Sequence, residues 1–123
     1  MYLHSKGVSK VKSEPILAWV KYLCYFNIKL GRDCLKVLDQ FNLCGTEWYG
    51  NHYRGNFWWA NSQYIRTLPS SIGPSYTDPE FWIAKGDMTC RSIFHFYFSN
   101  VYPYGVIIEE SSYTDLQSNK YII

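Results

Sequence analysis

The chain has 123 residues, of which 47% are hydrophobic and 18% are charged. This composition excludes a disordered chain and predicts one domain over residues 1–123. The net charge of +2 is too small to indicate a polyanion such as nucleic acid as the partner. Aromatic residues make up 20% of the chain, which is typical either of a core built from rings or of a surface that stacks on sugars or bases.

The first long element in the chain is a predicted helix that begins after Ser13. Ser13 is a suitable N-cap, Glu14 suits the positive end of a helix, and Pro15 suits its first turn. Apolar residues then recur at steps of three and four, and the pattern resumes beyond Gly31. This spacing predicts either two abutting helices or one long kinked helix, which ends near Asn42.

Five segments have the composition of β-strands. They are MYLH at the start, Leu43–Trp48, HYRGNFWWA from His52, Ser92–Tyr102, and GVIIEE from Gly105. Because helical patterns alternate with these segments, the sequence predicts an α/β fold with a small mixed sheet and packed helices.

Two short elements are predicted between the third and the fourth of these segments. Asn61 or Ser62 can cap a helix that ends at Pro69. EFWIAK, which begins at Glu80, has the composition of either a short helix or a strand. The residues between them are rich in Gly, Pro and Ser and are predicted to form a loop.

The four cysteines are not spaced as a zinc site, because none belongs to a Cys-X-X-Cys pair. The first ten residues lack the apolar core of a signal peptide, and no apolar run reaches the length of a membrane span. We therefore expect free thiols in a reducing, cytoplasmic compartment.

The aromatic block HYRGNFWWAN is the most unusual feature of the sequence. Along a strand, neighbouring side chains face opposite ways, so Phe57 and Trp59 are predicted to share one face and Trp58 to take the other. One face could then line a cleft, and the alternative is a strand buried on both faces. The residues here that could contact sugar rings or hydroxyls are His52, Gly55, Asn56, Trp58, Trp59 and Asn61, with Gly55 letting the backbone approach closely.

Three blocks of residues 2–83 are similar to the motifs of one family. YLHSKG resembles its YLHTKG, HYRGNFWWA resembles its H-(Y/F)-S-G-N-F-W-W-A, and PEFWI resembles its PE-(F/Y)-W-I. These motifs belong to a family of glycosyltransferases from bacteria, large viruses and some eukaryotes. Arg54 stands where that family has a small serine, so the acceptor side is expected to differ in shape.

The resemblance implies a GT-A-like fold and transfer of a sugar from a nucleotide-sugar donor to a hydroxyl acceptor. By this analogy Glu80 contacts or deprotonates the acceptor hydroxyl. Phe81 and Trp82 would partly desolvate this carboxylate and strengthen it as a base. The alternative is that Glu80 only stabilises the N-terminal end of a helix that follows Pro79.

Three further residues are assigned to ligands. By its order along the chain, His95 resembles the late histidine of GT-A enzymes that binds metal or diphosphate, and the alternative is a core histidine. His4 and Lys6 follow a predicted strand end, where α/β folds place ligand groups, and Lys6 could face a diphosphate. A solvated loop is the alternative for these two residues.

The nucleotide-binding half of such transferases, with its Asp-X-Asp metal motif for Mn²⁺ or Mg²⁺, has no counterpart in the sequence. We therefore expect this chain to correspond to the acceptor-side half, incomplete or inactive alone and acting with a donor-binding partner. An unpaired sheet edge would favour self-association. The alternative function is a non-catalytic carbohydrate-binding or protein-interaction module.

Overall fold

The computed structural model describes residues 1–4, 13–95 and 105–114. Lys6, predicted to face a diphosphate, lies outside these residues. The same holds for the part of the predicted strand Ser92–Tyr102 that follows His95.

A nearly continuous helical segment opens the described core. Helix α1 spans Glu14–Cys24 with Ser13 at its N-cap, as predicted, although the Ser13 side chain makes no capping hydrogen bond. A π-helical segment, Tyr25–Lys29, follows directly, and α2 spans Gly31–Val37. At Leu30 the backbone leaves helical geometry, with φ of −96° and ψ of 21°. Of the two predicted alternatives, the chain has two helices, which are joined by the π-helical segment, and α2 ends earlier than expected.

The π-helical segment has a local cause in the buried residue Asn27. Its side-chain amide donates to the Leu23 carbonyl at 3.0 Å and to the Thr46 hydroxyl at 3.4 Å. A side chain that occupies a helical carbonyl competes with the regular backbone ladder and widens the turn. Asn27 therefore ties the helical segment to the sheet at the point where the helix changes its pitch.

Three strands form a mixed sheet in the described residues: β1 Leu43–Thr46, β2 Trp58–Ala60 and β3 Cys90–Phe94. Their order is β2-β1-β3, with β2 antiparallel and β3 parallel to β1. This arrangement confirms the α/β class and the small mixed sheet. Since β1 and β3 are parallel, both end at the same side of the sheet, which we call the carboxyl edge.

Two strand predictions are corrected. In HYRGNFWWA only the last residues, Trp58–Ala60, form a strand, because Gly55 and Asn56 take left-handed φ angles of 81° and 56° that interrupt an extended chain. Residues 105–110, predicted as a strand, contain none, and a short helix α5, Ser111–Thr114, follows them. At the start of the chain only Tyr2 pairs with the sheet, in a bridge to Trp58.

Two short helices follow β2. Helix α3 spans Ser62–Ile65 and is capped by Asn61, whose side chain accepts a hydrogen bond from the Gln63 backbone N–H at 2.8 Å. Helix α4 spans Asp78–Trp82, so EFWIAK begins as a helix. Because the Asn61 carboxamide serves as a cap, the sequence prediction for the start of α3 is confirmed.

Buried side chains form one cluster on each face of the sheet. The α1 face holds Trp19, Tyr22, Leu23, Phe26, Cys34, Cys44, Phe57, Ile93, Phe94, Ile108 and Tyr113. The α4 face holds Leu43, Tyr53, Trp58, Tyr64, Leu68 and Ile83. Trp59 packs against the first cluster, so the predicted alternation of Phe57, Trp58 and Trp59 is confirmed.

The four cysteines are free thiols, as expected. Among the helices in the described ranges, none is long and apolar enough to cross a membrane.

Candidate functional site

An aromatic cleft of about 420 Å³ opens on the α4 face. Its lining consists of Met1, Tyr2, Trp58, Ala60, Ser62, Ile65, Arg66 and Trp82. The first residues of the chain, strand β2 and helices α3 and α4 thus all contribute to one opening.

The Tyr2–Trp58 pair forms one wall of the aromatic cleft. The two residues exchange backbone hydrogen bonds, with N···O distances of 2.7 and 3.2 Å. Their rings are stacked, with centroids 4.8 Å apart and planes 13° from parallel. Trp82 is held by its indole N–H, which donates to the Pro69 carbonyl at 2.8 Å. The backbone hydrogen bonds and this indole bond therefore fix the positions of the rings.

The polar group of Trp58 is already used inside the protein. Its indole N–H donates to the Asn56 side-chain oxygen at 2.9 Å, and Asn56 is buried. Trp58 itself is 7% exposed, so it offers the cleft part of a ring surface and no hydrogen bond. Asn56 orients this ring, and its predicted role in substrate binding stays a prediction.

Trp59 and Gly55 make contacts to the helical segment rather than to the cleft. The Trp59 indole N–H donates to the Asn27 carbonyl at 2.9 Å, and a Cβ added at Gly31 would lie 3.0 Å from its ring. A Cβ added at Gly55 would lie 2.5 Å from Leu23 Cδ1. These contacts explain why a glycine and a tryptophan occupy these positions, and their predicted role in substrate binding stays a prediction.

Helix α4 connects the aromatic cleft with His52. Phe81 packs edge-on against the His52 ring, with centroids 5.1 Å apart, while its neighbour Trp82 lines the cleft. Glu80 lies half-buried in the first turn of α4 and is not among the lining residues. His4 is also half-buried and outside the lining. Helix α4 thus places Phe81 against His52 and Trp82 in the cleft. The roles predicted for Glu80, His4 and His52 remain predictions.

A second group of polar side chains lies at the carboxyl edge and centres on Glu47, which follows β1. Its side chain is 1% exposed. The Tyr22 hydroxyl donates a short hydrogen bond to its Oε1, and Nδ1 of His95 lies 3.6 Å from its Oε2. His95 follows β3 directly, so the parallel pairing of the two strands places the acid beside the histidine.

The backbone around Glu47 is unusual. Its φ is 58°, a left-handed angle that is rare outside glycine. The register between β1 and β3 shifts between Gly45 and Thr46, immediately before it. Hydrogen bonds to the Phe94 carbonyl at 3.2 Å and from the Arg54 N–H at 3.1 Å hold this conformation. Bulges and strained residues of this kind are concentrated beside active sites.

The residues around Glu47 include two that the sequence had marked. His95 contacts its carboxylate, and Gly55 packs beside Trp19, whose ring stacks on Tyr22 at 5.2 Å. Sequence reasoning missed Glu47 itself. The available signal was an acidic residue placed directly after the apolar strand LCGT, where α/β folds carry ligand groups.

The described residues contain no group of three or more His, Cys, Asp or Glu side chains that could hold a metal ion. His95, predicted as a metal ligand, has the Glu47 carboxylate beside it. Neither residue belongs to a larger ligand set in this part of the chain.

A family model described as a domain of unknown function (DUF8361) matches residues 1–74, which is more than half of the chain. The chain belongs to this family. The residues that match the DUF8361 model include Tyr2, Glu47 and Trp58. The match ends before α4, which carries Glu80 and Trp82. No curated protein and no solved structure matches the chain.

Proposed function

We propose that this DUF8361 chain binds a carbohydrate in the aromatic cleft and forms the acceptor side of a glycosyltransferase. The observation that carries the proposal is the arrangement of Tyr2, Trp58 and Trp82 around one open cavity. Sugar rings present apolar C–H faces, and aromatic side chains with one wet side suit such ligands.

The rim of the aromatic cleft supplies polar groups for hydroxyls. Ser62 and Arg66 belong to the lining, and both are exposed. The Arg66 guanidinium has five N–H donors, and within the described ranges it forms no ion pair. A few polar groups around an apolar floor are the usual composition of a small-ligand site.

The transferase part of the proposal is supported by the resemblance of the YLHSKG, HYRGNFWWA and PEFWI blocks to glycosyltransferase motifs. The order of β2, α3 and α4, with Glu80 in the first turn of α4, is compatible with a partial GT-A-like fold. Glu80 is then the candidate base that the resemblance supplies. The partner we infer is a domain that binds the nucleotide sugar.

A divalent ion, which the resemblance implies, does not fit the described residues. They offer no cluster of three carboxylate, imidazole or thiol groups. Mn²⁺ and Mg²⁺ prefer several oxygen ligands, so no step of the proposed reaction uses an ion held here.

Binding in the cleft is tested by substituting Trp82. Trp82→Ala removes a ring from the lining, and we expect a roughly fivefold weaker affinity for glycans that the wild type binds, because each stacked ring contributes on the order of 1 kcal/mol. Tyr76→Ala is the matched control, since Tyr76 is 94% exposed and lies outside the cleft. Glycan arrays would identify ligands, and titration by NMR would measure their affinity.

Equal affinities of the Trp82→Ala and Tyr76→Ala proteins would contradict the proposed site. Circular dichroism of both variants must match that of the wild type, because a loss of fold would also remove binding.

Catalysis is tested by Glu80→Gln with UDP-glucose, UDP-galactose and GDP-mannose as donors. If Glu80 is the base, we expect turnover to fall by a factor of about 100 or more while glycan affinity is unchanged. Glycan binding without turnover of any donor, in the presence or absence of a donor-binding partner, would instead favour the non-catalytic carbohydrate-binding module.

A further inference from the structure

Arg66 is the one charged side chain among the eight described residues that line the aromatic cleft. It follows the last residue of α3 and is exposed. The other lining side chains are aromatic or apolar, apart from the neutral hydroxyl of Ser62. Because no acidic side chain belongs to this lining, the cleft itself does not neutralise the charge of the guanidinium.

Two other arginines show how this protein uses a guanidinium internally. Arg54 lies over the Tyr49 ring at 4.1 Å, and Arg91 lies over the Phe41 ring at 5.4 Å. Within residues 1–4, 13–95 and 105–114, the Arg66 guanidinium has no such ring contact, no hydrogen bond and no ion pair. Its N–H donors are therefore available to a ligand in the aromatic cleft.

The sequence around Arg66 also lacks negative charge. Between Glu47 and Asp78 the chain contains no Asp or Glu. Helix α4 carries Asp78 and Glu80, but neither residue lines the aromatic cleft. The Asp78 carboxylate instead accepts a hydrogen bond from the Ser75 backbone N–H at 2.7 Å. The electrostatic potential at the Arg66 side of the cleft therefore favours an anionic group of the ligand.

The rings and the guanidinium reach the aromatic cleft from different elements. Trp58 and Ala60 alternate along β2, so both face the cleft. Ser62 and Arg66 are four residues apart, and the Arg66 backbone N–H donates to the Ser62 carbonyl at 3.3 Å, so their side chains lie on one side of α3. A sugar ring that stacks on an aromatic face projects its substituents sideways. Such a substituent is directed to the rim of the cleft, where Ser62 and Arg66 lie.

We propose that the aromatic cleft selects an acidic sugar, whose apolar face stacks on the rings and whose carboxylate pairs with Arg66. This inference rests on the proposed function and names the class of its acceptor. A planar guanidinium binds a carboxylate through two parallel hydrogen bonds, which a neutral hydroxymethyl group cannot reproduce. Uronic acids and sialic acids both present such a carboxylate on the sugar ring.

Matched ligands test this selection in the wild-type chain. Galacturonic acid oligomers, hyaluronan fragments and sialyllactose are each titrated as the free acid and as the methyl ester, which keeps the sugar ring and removes the charge. For each pair that binds, we expect the acid to bind about fivefold more tightly at low salt, because ion pairs at exposed side chains are weak. The preference should shrink at about 0.5 M salt. Equal affinities of acid and ester, or tighter binding of sulfated glycans than of either acid, would overturn the proposal.

Substitution of Arg66 locates the selection. We expect Arg66→Gln to abolish the preference for acid over ester and to leave the affinity for the ester unchanged, because it removes only the charged fork. Arg32→Gln is the matched control, since it removes the same charge from an exposed position on α2. In ¹H–¹⁵N spectra, the Arg66 Nε–H signal should shift with the acid and not with the ester. A preference that persists in the Arg66→Gln protein would overturn the proposal.

The Trp82→Ala protein separates this inference from the proposed function. If it binds glycans more weakly than the wild type, while the wild type binds acid and ester equally, the cleft is correct and the acidic sugar is wrong. If the wild type prefers the acid and Trp82→Ala does not weaken its binding, both are wrong, because the anion then binds Arg66 outside the ring-lined cleft. Absence of binding by any glycan would also overturn both.

Discussion

The two faces of the sheet use aromatic rings for different purposes. On the α1 face, Trp19 and Tyr22 stack beside a buried carboxylate, and the Tyr22 hydroxyl binds it directly. On the α4 face, Tyr2 and Trp58 stack at the wall of a cleft that is open to solvent. Rings surround a buried glutamate side chain on one face and line an open cleft on the other.

The adjacent residues Trp58 and Trp59 illustrate this difference. Both indole N–H groups are bonded inside the protein, to Asn56 and to the Asn27 carbonyl. Only the Trp58 ring reaches the aromatic cleft, while the Trp59 ring covers Gly31. Neighbouring residues of one type therefore need separate explanations, because a strand sends them to opposite faces.

The largest expected effect on the α1 face comes from Gly55→Ala. Its new Cβ would meet Leu23 at 2.5 Å in a packed cluster, and its φ of 81° strains any side chain. Gly50→Ala is a close control, since Gly50 has a φ of 80° but nothing within 4 Å. Both variants carry the left-handed penalty of about 1–2 kcal/mol. We expect Gly55→Ala to lower the free energy of unfolding by about 1–3 kcal/mol more than Gly50→Ala does.

Urea denaturation of the two glycine variants measures this difference in the free energy of unfolding. Equal losses would show that the turn before β2 is not packed against α1 as described.

The second prediction compares tyrosine hydroxyls on the two faces. Tyr22→Phe removes the donor to a buried carboxylate, and hydrogen bonds to charged groups contribute about 1.5–3 kcal/mol. Tyr64→Phe removes a bond of 2.6 Å to the neutral Ile83 carbonyl, which contributes about 0.5–1.5 kcal/mol. We expect thermal and urea unfolding to show the larger loss for Tyr22→Phe. The opposite order would mean that Glu47 is not a buried anion.

The third prediction concerns stability at alkaline pH, which depends on buried groups on both faces. The adjacent Cys34 thiol and burial raise the pKa of Cys44 above its ordinary value of 9.0, and burial chiefly raises that of Tyr53 above 10.0. Because the folded pKa values are the higher ones, the stability contribution is complete below about pH 9 and is lost as the pH rises. Each such group should lower the free energy of unfolding by about 1.4 kcal/mol for each pH unit above its unfolded pKa.

Urea midpoints at pH 7, 9 and 10 check this dependence. Cys44→Ala removes the thiol and should flatten the decline between pH 9 and 10 relative to the wild type, after allowance for its lower stability at pH 7. An identical slope in both proteins would contradict the role of the α1-face thiol.

Local signals in the sequence predicted those parts of the fold that depend on neighbouring residues. Ser13 with Glu14 and Pro15 marked the start of α1, and Asn61 marked the cap of α3. The alternation of apolar residues predicted which face each tryptophan takes. Strand limits were less predictable, since two left-handed residues, Gly55 and Asn56, ended the extended chain before Trp58.

The contacts at the carboxyl edge could not be predicted from local sequence signals, and the reason is physical. Glu47 meets Tyr22 and His95 only through the pairing of β1 with β3 and the packing of α1, over 25 residues in the case of Tyr22. A lone glutamate after a strand has no periodic signature, and its left-handed backbone is unusual for its residue type. The cleft was partly predictable, because Trp58 was marked, but Tyr2 and Trp82 were not assigned to it.

The π-helical turn between α1 and α2 has a consequence for deletions in this chain. Such a turn accommodates one residue more than a regular helix would. Removing a single residue from Tyr25–Lys29 would let the ladder close as a plain α-helix, and the residues downstream would keep nearly the direction that they have now. Gly31 would then stay against the indole of Trp59. The same deletion inside α1 would instead rotate the downstream residues by about 100°.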